Sequence, residues 1–156
     1  MDSNYARSPR GKRAVAPKPH CRGVSYSIIG AISTEGIETM MYIEGAINGD
    51  IFEEFVRKTV MPILVPGKIL VLDNARIHKS PELIEDIKRS GASVTFLPPY
   101  SPDFSPIENA WSKIKEILKN LKARTAAEFA RAIKKAVHAI TASDCEGWFE
   151  HCGYVA

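Results

Sequence analysis

The chain has 156 residues, 45% of them apolar and 25% charged, with 21 Lys and Arg against 18 Asp and Glu. That length and balance fit one globular domain with its own core that requires no disulfide or zinc staple, and the composition excludes collagen-like, disordered and membrane classes. No apolar run approaches the roughly 20 residues of a membrane-spanning helix, and the basic, polar N-terminus has no apolar signal region.

The net charge of +3 is unevenly placed. Residues 1–24 hold six basic side chains (Arg7, Arg10, Lys12, Arg13, Lys18, Arg22) against Asp2 alone, while the remainder holds 15 basic and 17 acidic. From Lys113 to Lys135 there is a second basic region, with eight Lys and Arg against Glu116 and Glu128. Two basic stretches on a nearly neutral body suggest a polyanion partner. Charge by itself favours the plainer reading of a solvated tail and a solvated helix face. Cys21, Cys145 and Cys152 are scattered and form no CxxC pair, which points to a packed C-terminal tail and a reducing, cytoplasmic setting.

In chain order, residues 1–23 read as a basic arm broken by Pro9, Gly11, Pro17, Pro19 and Gly23. Val24–Ser33 and Ile37–Ile43 read as two strands of a hairpin around Thr34-Glu35-Gly36. A helix follows from Asp50 to about Met61, with Asp50 as its cap and Ile51, Phe52, Phe55, Val56 and Val60 as its apolar stripe. Lys68–Leu72 is a short continuous apolar run, the pattern of a strand buried on both faces. Ser80-Pro81 opens the next helix, with Ile84 and Ile87 facing inward and Gly91 ending it. Ser93–Leu97 is another strand.

A Pro-rich loop from Pro98 to Pro106 leads to a helix ending near Lys122, with Ile107, Trp111, Ile114, Leu118 and Leu121 as its apolar face. A last helix from Ala126 to Ile140 buries Phe129, Ile133 and Val137. The predicted order β-β-α-β-α-β-α-α implies an α/β domain with a mixed sheet and helices on its faces. The core is expected over 24–142, and 143–156 as a tail packed on it.

Asp73 stands directly after the buried strand, where ligands gather in open α/β sheets. It serves equally well as a turn-capping residue. Glu108 is the third residue of a helix opened by Ser105-Pro106, which fits a capping box. It also heads the stripe Glu108, Ser112, Lys115, Lys119 and Lys122, an acid above a lysine row. That arrangement could set a metal beside a phosphate backbone. It is also how a soluble helix is solvated.

The stretch VLDNARIHKS and the later FLPPYSPDFSPIENAWSKIK, with 34 residues between Asp73 and Glu108, resemble the DDE transposases of the mariner-like superfamily. They are most similar to the bacterial insertion-sequence branch. The arm YARSPRGKR and the ending GWFEHCGY resemble it more loosely, so the likeness covers nearly the whole chain. It implies a ribonuclease H-like fold and metal-dependent cleavage and transfer of DNA strands. In that family three carboxylates hold two divalent ions, Mg²⁺ or Mn²⁺. Phosphoryl transfer suits this design, because two ions about 4 Å apart neutralise the attacking and leaving oxygens.

By this resemblance Asp73 and Glu108 are two of the metal-binding acids, and Asn74 and His78 lie beside them or touch DNA. Arg7, Arg10, Lys12, Arg13, Arg22, Lys115 and Lys119 would hold DNA, with a second copy of the chain as a further partner and a nucleoid location. The family's first Asp ends a strand before the basic arm. No such strand precedes MDSNYARSPRGKR, and the helix-turn-helix region is absent too. The chain is therefore expected to be the later part of a transposase with its first acid and first strand missing. Impaired activity and exposed strand edges would follow. Two alternatives remain: a non-catalytic DNA-binding remnant, and a stand-alone nuclease using Asp2, Asp73 and Glu108.

Overall fold

The computed structural model describes residues 25–121, 123 and 125–154. The basic arm, with Asp2, Arg7, Arg10, Lys12, Arg13 and Arg22, lies outside the described residues, as does Lys122. Two strands, β1 (Tyr26–Ser33) and β2 (Gly36–Glu44), form the expected antiparallel hairpin, with a register shift between Ala31 and Ile32. A parallel pair follows, β3 (Ile69–Leu72) and β4 (Ser93–Phe96). The strands are thus mixed in direction, and among the described residues the two pairs are not hydrogen-bonded to each other.

The hairpin is the middle of three layers because its side chains alternate. Ile29, Ala31 and Met41 pack on a cluster built by Phe52, Phe55, Val56, Val60, Leu83 and Ile87. On the opposite face Ile28, Ile32, Ile37 and Met40 pack on Ala110, Ile114, Ile133, Ala136 and Cys145. Leu70, Leu72 and Val94 of the parallel pair join the first cluster. Both strand pairs therefore share one core.

The first cluster comes from α1 (Gly49–Phe55) and α2 (Pro81–Arg89). Asn48, not Asp50, caps α1 through a 2.9 Å bond from Ile51 N–H. Its periodic stripe does not continue as one α-helix. Val56–Val60 widens into a π turn and Met61–Ile63 tightens into a 3₁₀ turn. The π turn keeps Val56 and Val60 in the core while Arg57 reaches across to Asp86 of α2 and also holds Glu53 at 2.8 Å. Hydrogen bonds from Arg57 hold both carboxyl groups below their ordinary range. Ser80 caps α2 with Pro81 at its first position, and Leu83 with Ile87 fills the core, leaving Ile84 half-buried. Gly91 ends the helix at φ +86°, a backbone that favours glycine.

The second cluster comes from α3 (Pro106–Leu121), α4 (Ala126–His138) and α5 (Ala142–His151). Alanines sit at its closest approaches: Ala110 and Ala136 are fully buried, whereas Trp111, Phe129 and Val137 are only half-buried. Small side chains let α3 and α4 close on each other, so the larger residues of the expected stripe cover the rim. Residues 142–151 are a helix where the sequence suggested a tail. Thr141 with Asp144 closes a capping box at its start, and Lys113 Nζ meets Asp144 at 2.6 Å. These bonds hold the Asp144 carboxyl down at about 2.

One expectation fails for the strands. β3 is not buried on both faces: Ile69 is 61% exposed and its other residues are half-buried. An apolar run reports a tendency to be covered. Coverage itself depends on which neighbours are present.

Candidate active site

The parallel pairing of β3 and β4 brings their carboxyl ends to one edge. Leu72 is opposite Phe96, and Leu97 N–H donates to Leu72 O at 2.8 Å. Asp73 is the next residue after β3. The loop after β4 leads from the same edge into α3 and Glu108. Parallel strands with crossover connections bring residues distant in sequence to one edge in this way.

Asp73 has a 59% exposed side chain. Its Oδ1 accepts Ala75 N–H at 3.0 Å, the turn-forming bond that its sequence also suggested. His78 Nδ1 lies 2.6 Å from the same oxygen, but not in hydrogen-bond alignment, and it is a buried nitrogen without a hydrogen-bond partner. A 3₁₀ turn, Arg76–His78, carries the imidazole, and its ring lies 4.2 Å from that of Phe52. The core thus presses His78 toward the acid. Asn74 is half-buried, and its side chain makes no hydrogen bond among the described residues.

Glu108 does not form the capping box that Ser105-Pro106-Ile107-Glu108 suggested. Its backbone N–H bonds Ser105 O at 3.0 Å. The exposed carboxylate itself has neither hydrogen bond nor ion pair among the described residues. Capping boxes close instead at Thr125–Glu128 and Thr141–Asp144. An uncommitted carboxylate in the first turn of a 16-residue helix sits where the helix dipole favours negative charge.

Two exposed acids with spare oxygens suit a hard divalent cation, which keeps water and substrate phosphate among its ligands. Among the described residues, no group of three His, Cys, Asp or Glu side chains could hold a metal ion.

Lys115 and Lys119 are exposed along α3, as the stripe predicts, whereas Lys113 is taken by Asp144. The C-terminal part of the basic region from Lys113 to Lys135 falls on α4. Arg131, Lys134, Lys135 and His138 lie exposed on one face of α4. Their spacing of three, four and seven residues was the available signal. Among the described residues no helix is long and apolar enough to cross a membrane.

The loop between β4 and α3 is tightly held. Phe104 N–H bonds Ser101 O, Ser105 N–H bonds Pro102 O at 2.9 Å, and Tyr154 Oη donates to Phe104 O at 2.8 Å. Within this loop Tyr100 is fully exposed and takes φ +58°, the one positive value among the described non-glycine residues. That backbone costs a bulky residue about 1–2 kcal/mol. Tyr100 and Tyr154 lie in the stretches FLPPYSPDFSPIENAWSKIK and GWFEHCGY, but residue order alone assigned neither a role, the second because its partner is 50 residues away.

Comparison with known proteins is consistent across sequence and structure. A family model described as DDE superfamily endonuclease matches residues 1–130. The Tcb1 transposable element transposase of Caenorhabditis briggsae is 26% identical over 131 residues, covering 78% of this chain and 48% of that protein. The solved Mos1 strand transfer complex matches 96% of this chain and 46% of the Mos1 chain, with a TM-score of 0.77 at 12% identity. A Mos1 mariner paired end complex with Mn matches at a TM-score of 0.74 and 13% identity. The shared fold is the α/β, ribonuclease H-like architecture expected from the sequence. The chain spans about half the length of these relatives.

Proposed function

Because the chain belongs to the DDE superfamily endonucleases, we propose that it is the catalytic region of a transposase that cleaves and transfers DNA strands with divalent metal ions. The observation that carries this reading is the common edge of β3 and β4, where Asp73 stands and from which the loop to Glu108 departs. Asp73 and Glu108 would hold Mg²⁺ or Mn²⁺, and Asn74 with His78 would orient Asp73 or touch DNA. A bound ion supplies charge neutralisation at the phosphodiester oxygens. Lys115 and Lys119 hold the DNA backbone, together with Arg7, Arg10, Lys12, Arg13 and Arg22. The bacterial insertion-sequence branch and a nucleoid location follow from the same motifs.

The third carboxylate belongs, in this reading, to a further strand lying between β1 and β3. Two observations support it: among the described residues both strand pairs pack on one core without bonding to each other, and no residue of these four strands is buried. Strands with spare edges recruit a neighbour, so pairing with a second copy is expected of the isolated chain.

The test is cleavage of labelled transposon-end DNA, together with Mn²⁺ binding followed by paramagnetic resonance. The isolated chain is expected to bind Mn²⁺ weakly, to lose that binding in Asp73→Ala and Glu108→Gln, and to show little strand transfer. Efficient Asp73-dependent transfer by the isolated chain would refute the incomplete site. Unchanged Mn²⁺ binding in both variants would refute the assignment of the acids. The exposed cationic face of α4 favours a second reading, a non-catalytic DNA-binding remnant. Steeply salt-dependent DNA binding without any metal binding would select it.

A further inference from the structure

We propose that Tyr100 is a stacking platform for a nucleobase displaced from the DNA beside the phosphodiester held by Asp73 and Glu108. This rests on the transposase reading and adds a base-contacting residue to it. Exposed aromatic rings are unremarkable when they sit on mobile or featureless surface. Tyr100 sits on neither. Its loop is pinned at one end by Leu97 to Leu72 and at the other by Tyr154 to Phe104, and between them the Ser101 and Pro102 carbonyls accept from Phe104 N–H and Ser105 N–H. Pro98, Pro99 and Pro102 stiffen the same stretch.

This held loop places Tyr100 in a left-handed backbone and leaves its ring without a hydrogen bond or ring contact among the described residues. A relaxed loop would turn such a ring back onto the protein. An outlier of this kind points toward function.

The position selects the ligand. Leu97 is bonded to the residue before Asp73, and three residues of extended chain span at most about 11 Å. Tyr100 is thus within a few nucleotide steps of the acid, at about 3.4 Å per step along one strand. The exposed Lys115 and Lys119 of the following helix carry the charge of a polyanion site. A flat aromatic face is a recurring means of holding an unstacked base irrespective of its identity.

The experiment uses the full chain and a single-stranded oligonucleotide carrying one 2-aminopurine, whose fluorescence is quenched by stacking. Wild type is expected to quench it. Tyr100→Ala should lose the quenching and bind about tenfold more weakly. Tyr100→Phe should keep both, because the ring face and not the hydroxyl carries the contact. The slope of log affinity against log salt should stay the same in all three, since phosphate contacts are untouched. Tyr100→Gly removes the ring and relieves the backbone, so it should raise the melting temperature while losing the quenching. That separates the effect from unfolding.

The proposal is overturned if Tyr100→Ala quenches and binds like wild type, or if Tyr100→Phe loses as much as Tyr100→Ala. A loss of self-association in Tyr100→Ala with unchanged oligonucleotide binding would overturn it in favour of a second copy of the chain. If wild type itself binds no oligonucleotide, the transposase reading fails along with it. If wild type binds and Tyr100→Ala is neutral, only the stacking role fails.

Discussion

The layer of α3, α4 and α5 and the layer of strands finish in different ways. In the helical layer Ala110, Ile114, Ala136 and Cys145 are fully buried, and two capping boxes close helix starts. No residue of β1 to β4 is buried, although Ile69, Leu70, Val71 and Leu72 are as apolar as any core. A helix satisfies its own backbone and needs only a face to pack. A strand needs a partner on each edge. The contrast teaches that the candidate active site sits on the part of the fold whose completion depends on neighbours.

The comparison can be broken by substitution. The largest effect is expected from Ile114→Ala, which leaves a cavity in the closed layer and should cost about 2–5 kcal/mol in denaturant unfolding. Gly30→Ala should follow at about 1–3 kcal/mol. A Cβ there would meet Thr39 O at 2.9 Å and the Trp111 ring at 3.1 Å, where β1 passes closest to α3. If Gly30→Ala proves neutral, β1 and α3 are less tightly joined than the structure implies.

Thr141→Ala removes the cap of α5 and should cost about 1 kcal/mol. The neighbouring pair adds a pH signature. Asp144 has its carboxyl lowered to about 2 from 3.8 by Lys113 and Thr141. Its contribution is therefore present above pH 3.8 and is lost as pH falls toward 2. Lys113→Met should lower the melting temperature slightly at neutral pH, by about 0.5–1 kcal/mol of stability, and the difference from wild type should vanish near pH 2. A difference that persists at pH 2 would mean Lys113 acts through packing of its stem.

The smallest effect is expected in the strands. Ile69→Lys, at an exposed position, should stay within about 0.5 kcal/mol of wild type. Should it cost as much as Ile114→Ala, β3 is covered in solution and the contrast between the layers disappears.

Much of this was legible from residue order, and the exceptions have physical causes. Ser80-Pro81 and Gly91 bound α2 as read, because capping and left-handed turns are local. The hairpin of β1 and β2 was readable for the same reason. Asn48 displaced Asp50 as a cap through a local bond, and the stripe from Ile51 to Val60 widened into a π turn carrying Arg57, whose partner Asp86 is 29 residues away. Glu108 left its expected capping bond unmade, and α5 was missed because its short amphipathic pattern is broken by Gly147.

The amino-acid sequence by itself determined the order of strands and helices, the position of Asp73 after an apolar strand, and the motifs that place the chain in its family. Each of these depends on neighbours a few residues apart. Only the tertiary structure decided that β3 and β4 share an edge beside Asp73, that Tyr154 ties down the loop before Glu108, and that Tyr100 projects alone into solvent. Those outcomes depend on contacts across tens of residues. In such contacts packing geometry and unpaired strand edges choose among partners that local propensity leaves equivalent.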